Sequence, residues 1–292
     1  MERLAVVILN WNGEGFLQRF LPGVADCSTG KYAPPGCEVT VVVADNASTD
    51  GSVRWLEETC AGTDGGPVRV IAFDRNYGFT GGYNRALAHP SLAGFDYYLL
   101  LNSDVEVTPG WLVPLVETMR ADGRVGAAML VRADLWHAFG GLDEAFFAHM
   151  EEIDLCWRLH RSGYKVMVCP ASQVNHVGGG ALPATSPRKT YLNFRNNLAM
   201  LYKNLPGAAF AGVYFVRFWA DSLQALLWLC TGKRSFAGAV VRGHRDFWRR
   251  MRPRLVRQPG KEGYALPEKQ VLYRGSVALR YLVGKRKFGN MM

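Results

Sequence analysis

EVTVVVADNASTDGS, residues 38–52, is the stretch from which the fold is predicted: an apolar run that ends abruptly in polar, turn-forming residues. A continuous apolar run without alternation is typical of a strand that is buried on both faces. Asp50 can cap a helix that continues to about Cys60. The stretch therefore predicts a buried strand followed by a helix.

The same order recurs through the first hundred residues. Strands are predicted at 3–10, 38–44, 68–73 and 95–101, and helices at about 15–25, 50–60 and 80–89. Repeated strand–helix units predict an α/β fold with a mostly parallel sheet and helices on both of its faces. In such sheets ligands bind at the carboxyl ends of the strands.

All four predicted strands end in polar clusters. The clusters are NWNG at 10–13, DNASTDGS at 45–52, DRNYGFTGGYN at 74–84 and NSDVE at 102–106. Any one of them is explained by turn formation, which Asn, Asp, Ser and Gly favour. Four clusters at one edge of a sheet favour a shared ligand cleft.

Two carboxylates in these clusters have a clear chemical use. Asp45 can accept hydrogen bonds from a nucleobase or a ribose. Asp104 follows the apolar LLLN, where a carboxylate can hold Mg²⁺ or Mn²⁺, ions that prefer oxygen ligands and bridge phosphate oxygens. The alternative for Asp104 is the capping of a turn.

Glu151, Glu152 and Asp154 open a predicted amphipathic helix. Acidic residues in a first turn suit the helix dipole, and the functional alternative is that one of them is a general base for an incoming hydroxyl. Asp154 and Arg158 have the i,i+4 spacing of a structural ion pair. His176 is a candidate imidazole ligand, with an ordinary structural role as the alternative.

The net charge of +9 is unevenly distributed: residues 188–292 hold 21 Lys and Arg against 4 Asp and Glu, and residues 1–187 have a net charge of −8.

The six cysteines form no CxxC pair, which predicts reduced thiols in the cytoplasm. The first residues predict a strand and not a signal peptide. No run of 18 apolar residues is free of charge, so no membrane span is predicted.

The carboxyl-terminal third of the chain differs in composition from the part before it. Residues 178–187 predict a connector, which divides the chain into a catalytic domain at 1–187 and a helical region at 188–292. Residues 207–230 are apolar and aromatic, and 233–257 are strongly basic with Phe and Trp interleaved. Aromatic anchors among cations predict association with an anionic membrane surface, and the alternative is a solvated basic helix packed on the catalytic domain. No motif for nucleic-acid binding accompanies the basic residues.

Seven segments, in this order, resemble the inverting family 2 glycosyltransferases of GT-A fold, specifically their bacterial rhamnosyltransferase-like branch. The segments are VVILNWN, VVVADNASTDGS, NYGFTGGYNRAL, LLLNSDVEV, GGLDEAFFAHMEEIDLCWRLHRSGYKV, NHVGGG and YLNFRNNLAMLYKNLP. The resemblance spans about residues 3–204. Its one large departure lies between Val125 and Val131, where several dozen residues of the branch are missing, which implies either a truncation or a shortened acceptor wall.

The resemblance implies a role for each matching position. Glu151-Glu152 would be the acidic pair, with Glu152 as the base, and Asp104 and His176 would hold Mg²⁺ or Mn²⁺; Asn102 replaces the first Asp of the DXD motif. The residues implied to bind the nucleotide are Asn12, Asp45, Asn76, Gly78, Gly81, Asn84, Ser103 and Asp104. A basic segment with Arg188, Lys189 and Arg195 is expected over the diphosphate.

These roles predict the transfer of a sugar from a nucleoside-diphosphate sugar to a hydroxyl of a cell-surface glycan or lipid-linked acceptor, with inversion. The enzyme is expected in the cytoplasm, peripheral on the inner face of the cell membrane. Two alternatives are a catalytically impaired, membrane-bound scaffold and a nucleotide-binding oxidoreductase. The second lacks GxGxxG after the first strand, where NWNG stands instead.

Overall fold

A computed structural model describes residues 1–60, 68–127, 130–177 and 186–256. The predicted alternation is confirmed: each predicted strand and helix is present, and no end is shifted by more than three residues. The first seven elements are β1 (Glu2–Asn10), α1 (Glu14–Ser28), β2 (Cys37–Asp45), α2 (Ser52–Cys60), β3 (Val68–Ala72), α3 (Gly78–Leu87) and β4 (Tyr97–Asn102). Asp50 caps α2 as predicted, because its Oδ1 accepts a hydrogen bond from the Ser52 N–H at 3.0 Å.

The rest of the described chain adds five short strands and six α-helices. The elements are β5 (Val105–Val107), α4 (Val113–Ala121), β6 (Val125–Ala127), β7 (Leu130–Arg132), α5 (Ala133–Ala138), α6 (Glu151–Arg161), β8 (Lys165–Val166), β9 (Val174–His176), α7 (Pro187–Asn204), α8 (Gly207–Cys230) and α9 (Arg234–Asp246). Among the helices of the described ranges, none combines the length and the apolar character that crossing a bilayer requires.

Seven strands form one sheet in the order β3-β2-β1-β4-β7-β6-β8. The first four of these are mutually parallel, and β7 runs antiparallel to β4. Because Asn10 pairs with Asp45 and Leu9 with Asn102, three polar clusters begin side by side at one edge of the sheet. β6 and β7 both join the sheet, although residues 128 and 129 between them lie outside the described ranges.

Helices cover both faces of the sheet, which explains why the central strand is apolar throughout. Val6 and Ile8 of β1 belong to a core with α1, α2 and α4 on one face, and Ala5 and Val7 belong to a core with α3, α5 and α6 on the other. These β1 residues are all essentially inaccessible to solvent. Burial on both faces is the usual condition of a central parallel strand.

The helices α7, α8 and α9 pack on one another beyond the sheet. The crossing of α7 and α9 is close, because a Cβ atom added to Gly243 would lie 3.2 Å from the Cβ of Phe194. On its other side α7 contacts α6, the helix that carries the three predicted acids. The basic region therefore begins with a helix that is packed against the candidate site.

Candidate active site

The carboxylate of Asp45 is buried and fully engaged by its neighbours. Its Oδ2 accepts hydrogen bonds from Asn10 Nδ2 at 2.8 Å and from Ser48 Oγ at 2.7 Å, and its Oδ1 accepts from the Ser48 N–H at 2.8 Å. Asn12, at φ +52°, accepts from the Thr49 N–H at 2.7 Å. Asp45 and Asn12 thus tie the loop after β1 to the loop after β2.

The loop after β3 is held by Asn46 and Asn76. Asn46 donates to Asn76 Oδ1 at 3.1 Å and to the Gly78 carbonyl at 3.0 Å, and Asn76 Oδ1 also accepts from the Gly78 N–H at 2.7 Å. Gly78 has φ +73°, and a Cβ atom there would lie 2.6 Å from the ring of Phe147. Only glycine combines an easily reached positive φ angle with room for the Phe147 ring, because it has no Cβ atom. The loop after β3 therefore packs directly against the segment before α6.

Two other predicted residues of α3 contact the same segment. Asn84 pairs with the backbone of Leu142 in both directions, donating to its carbonyl at 2.7 Å and accepting from its N–H at 2.9 Å. A Cβ atom on Gly81 would lie 3.1 Å from Arg85 Nη1 and 3.5 Å from the Glu144 carboxyl carbon. The third predicted cluster is therefore joined to the segment that precedes the acidic helix, although about 60 residues separate them in sequence.

The fourth loop brings Asp104 and His176 together. Val105 of β5 pairs with His176 of β9, and this register places Asp104 Oδ1 3.0 Å from His176 Nε2. Asp104 is buried, and the side chain of His176 is half-exposed. The loops after β1 and β4 also meet here, because a Cβ atom on Gly13 would lie 3.6 Å from Ser103 Oγ.

A carboxylate oxygen next to an imidazole nitrogen is a donor set that fits a divalent cation bound together with a phosphate ligand. Within the described ranges, no group of three or more His, Cys, Asp or Glu side chains is placed to hold a metal ion. Mg²⁺ typically takes one or two protein ligands and completes its coordination with phosphate oxygens and water. The Asp104–His176 pair fits that mode of binding and does not form a complete protein cage.

The acidic pair at the start of α6 consists of one buried and one exposed carboxyl group. Glu151 is 2% exposed, and its Oε2 has no hydrogen-bond partner in the described part of the chain. Burial, together with the neighbouring charge of Glu152, raises the pKa of Glu151 to about 8. Glu152 is exposed. At neutral pH Glu151 is therefore mostly protonated.

Asp154, the third acid, belongs to a buried ionic network, and its predicted pairing with Arg158 is confirmed at 2.9 Å. Its Oδ2 also accepts from Lys203 Nζ at 2.8 Å, and its Oδ1 accepts from Asn204 Nδ2 at 2.8 Å. Lys203 reaches Asp143 as well, at 2.6 Å. Both oxygens of Asp154 thus have hydrogen-bond partners within the protein. Asp154 therefore has a structural role and is not a candidate for the general base.

Sequence reasoning missed Asn196, which holds the backbone turn in front of the acidic pair. Phe147, His149 and Met150 all have positive φ angles, which are costly for residues other than glycine. The side-chain amide of buried Asn196 donates to three backbone carbonyls of this turn, those of Phe146 at 3.0 Å, Ala148 at 2.7 Å and His149 at 2.8 Å. An asparagine in the middle of a helix, on its buried face, was the available signal.

Two of the three basic residues expected over the diphosphate contact the same turn. Arg195 Nη2 donates to the Phe146 carbonyl at 2.9 Å, and the Arg188 guanidinium lies 5.3 Å from the centre of the Phe147 ring. Burial lowers the pKa of His149 in this turn, and the nearby charge of Lys189 lowers it in the same direction. This end of α7 therefore faces the segment that leads into α6.

The sheet order, the polar loops at the ends of β1 to β4 and the pairing of Asp104 with His176 of β9 agree with the resemblance to GT-A glycosyltransferases. Residues 5–155 match the family model described as glycosyl transferase family 2. This match covers more than half of the chain, and the protein belongs to that family.

Sequence and structure comparisons agree with this assignment. The chain is 25% identical over 243 residues to the N-acetylglucosaminyl-diphospho-decaprenol L-rhamnosyltransferase of Mycobacterium tuberculosis, covering 59% of this chain and 75% of that protein. Mannosyltransferase PcManGT from Pyrobaculum calidifontis, solved with GDP-Man and Mn²⁺, superposes with a TM-score of 0.56 at 15% identity, covering 85% and 87% of the two chains. GalNAc-T7, solved with UDP, GalNAc and Mn²⁺, superposes at 0.55 and 15% identity over 70% of this chain, which spans about half of that enzyme (48%). The structural likenesses show the GT-A fold.

Proposed function

We propose that this glycosyltransferase moves a sugar from a nucleoside-diphosphate sugar to a hydroxyl of a cell-surface or lipid-linked glycan, with inversion at the anomeric carbon. The observation that carries the proposal is the Asp104–His176 pair, 3.0 Å apart at the strand-end edge of a GT-A sheet. The solved neighbours that hold GDP-Man or UDP support a nucleotide-sugar donor. Family membership favours transfer over the oxidoreductase alternative.

The nucleotide is proposed to lie against the four strand-end loops. Asp45, Asn76 and Asn84 support this site mainly by fixing the shape of the loops, since their side chains are already bonded to neighbouring residues. The remaining proposed contributors are Asn12, Gly78, Gly81 and Ser103.

Asp104 and His176 are proposed to hold Mg²⁺ or Mn²⁺. When bound, the cation supplies electrostatic stabilisation to the leaving diphosphate. The Mn²⁺ present in both solved neighbours supports this part of the proposal. Asp104 is buried, which fixes its carboxylate before any ligand arrives.

Glu152 is proposed as the general base. Its exposed carboxylate can receive the proton of an acceptor hydroxyl, which attacks the anomeric carbon from the face opposite the nucleotide in a single displacement. Glu151 is buried beside it and holds its own proton at neutral pH, so it is suited to donate a hydrogen bond and not to abstract a proton.

The acceptor and the location form the last part of the proposal. The mycobacterial relative is named for a diphospho-decaprenol acceptor, which supports a lipid-linked acceptor here. With such an acceptor, the enzyme is proposed to be a peripheral protein at the inner face of the cell membrane.

The test combines binding and transfer on the purified full chain. A panel of nucleotide sugars is screened by thermal shift with Mn²⁺ and with EDTA, because a ligand that binds only the folded state raises its stability. We expect one donor to stabilise the protein only with the metal, and Asp104→Ala to abolish that shift. Donor binding that is unchanged in EDTA and in Asp104→Ala would refute the metal site, and the absence of any nucleotide-sugar binding would refute the reaction.

A further inference from the structure

The helix α8 has one charged face and one that is wholly uncharged. Its only two charged residues, Arg217 and Asp221, pair at 3.2 Å, and His244 Nε2 of α9 lies 3.0 Å from Asp221 Oδ2. Asp221 is buried in this contact. The inner face of α8 is thereby fixed on α9, and only the opposite face remains available to another surface.

The outer face of α8 is a continuous apolar stripe. Its members at more than half exposure include Phe215, Val216, Trp219, Leu223, Leu226 and Leu227. At 100° per residue these six positions fall within about a third of the helix circumference, opposite Asp221. Soluble monomers rarely expose a contiguous apolar patch of this extent, so the stripe indicates an interaction surface.

The next segment of the chain is basic and exposed. Residues 233–256 contain eight Lys and Arg against one acidic residue, Asp246, and all eight basic side chains are exposed. The helix α9 packs along α8, with Trp228 near Phe236 at one end, and just after α9 Trp248 lies near Tyr214 at the other end, at ring distances of 5.5 and 5.2 Å. We define the α8–α9 hairpin as residues 207–254, which includes the short helical turns after α9. An apolar stripe and a field of cations therefore lie on one helical hairpin.

We propose that the α8–α9 hairpin docks on an anionic lipid bilayer, with the α8 stripe in the boundary between headgroups and acyl chains and the basic residues on the headgroups. This chemistry distinguishes lipid from a second copy of the chain, because pairing two stripes would bring two strongly positive hairpins together. It also accounts for the inward position of Arg217 and Asp221, which keeps charge away from the lipid side. The proposal names the surface of the protein that would produce the peripheral membrane location proposed above. Its test does not depend on sugar transfer.

Vesicle co-sedimentation of the full chain tests the proposal. We expect binding to phosphatidylcholine vesicles that contain phosphatidylglycerol, release by high salt, and little binding to phosphatidylcholine alone. Trp219→Ser and Leu223→Ser should each lower the affinity about tenfold, since each removes a large apolar side chain from the stripe. Arg242→Gln and Arg249→Gln should each lower it about fivefold.

Val168→Ser is the matched control, because Val168 is a fully exposed apolar side chain outside the hairpin. All five positions are exposed, so the variants should fold like the wild type, which circular dichroism checks. Equal binding by wild type and the Trp219 and Leu223 variants, equal binding to neutral vesicles, or a dimer in ultracentrifugation that these variants abolish would each overturn the proposal. Vesicle binding without any transfer activity would support the docking surface and leave only the proposed reaction in question.

Discussion

Replacement of Asn196 by alanine tests how the turn before the acidic pair keeps its shape. The substitution removes the amide that donates to the carbonyls of Phe146, Ala148 and His149. The Phe146 carbonyl retains Arg195 as a donor at 2.9 Å, whereas the other two lose the bond from Asn196. The Ala148 and His149 carbonyls are partly buried, so the loss of each partner costs the lower part of the range of about 1–3 kcal/mol, and we expect a loss of about 2–3 kcal/mol in the free energy of unfolding.

Urea and thermal unfolding of the purified variants measure this loss. For a chain of this size it corresponds to a fall of about 4–12 °C in the melting temperature. Asn197→Ala is the matched control: it makes the same chemical change one residue further along α7, where Oδ1 has no hydrogen-bond partner among the described residues. Because this partly buried side chain gives up no hydrogen bond through Oδ1, we expect a change of less than about 1 kcal/mol in its free energy of unfolding.

Asn196→Asp separates hydrogen bonding from side-chain volume. The carboxylate keeps the shape of the amide but presents an acceptor to three carbonyls, so it should be at least as destabilising as alanine. A wild-type melting temperature for Asn196→Asp, or equal losses for Asn196→Ala and Asn197→Ala, would refute the inference that these hydrogen bonds hold the turn.

Three further predictions concern α6 and its contacts. Glu152→Gln should retain donor binding and lose about two to four orders of magnitude in transfer rate, the usual contribution of a general base; full activity would exclude Glu152 as the base. Because burial raises the folded-state pKa of Glu151 above its value in the unfolded chain, its contribution to stability is fully present below about pH 4.5 and is lost as the pH rises through about 8. The unfolding free energy should therefore depend less on pH between 6 and 9 in Glu151→Gln than in the wild type, and equal slopes in urea titrations would contradict this. Lys203→Met leaves part of the buried Asp154 network without its cation and should cost about 3–5 kcal/mol, whereas Lys165→Met, at a half-exposed surface pair, should cost under about 1 kcal/mol; similar losses in the two would refute the difference.

The elements with strong sequence patterns were predictable, and those fixed by distant contacts were not. The runs at 3–10 and 38–44 are long, apolar and flanked by turn residues, so their strands were predicted within one residue of the observed ends. The strands β5 and β9 have three residues each, too few for any periodicity, and their pairing is what brings Asp104 to His176. The resemblance named both residues, but the distance between them required the structure.

The segment before α6 was the part of the site that the sequence predicted least. Phe147, His149 and Met150 are residue types that rarely adopt positive φ angles, so no local rule predicts the turn they form. The turn is maintained by contacts with α3 and α7, and Asn196 is 47 residues away from His149 along the chain. The exposed stripe of α8 was predicted only as apolar composition, because the sequence alone did not show that Arg217 and Asp221 face inward.

The position of Asn196 has a consequence for the order in which the protein matures during synthesis. All seven strands of the main sheet lie before residue 167, so a growing chain contains the whole sheet before α7 emerges. Amino-terminal segments generally fold first during synthesis. The turn that leads to the acidic pair, in contrast, acquires its three hydrogen bonds from Asn196 only when residue 196 has been added, and the network around Asp154 is completed only by residues 203 and 204. A nascent chain thus completes its scaffold while the acidic end of its site is still incomplete, and α7, which packs on α6, completes that site.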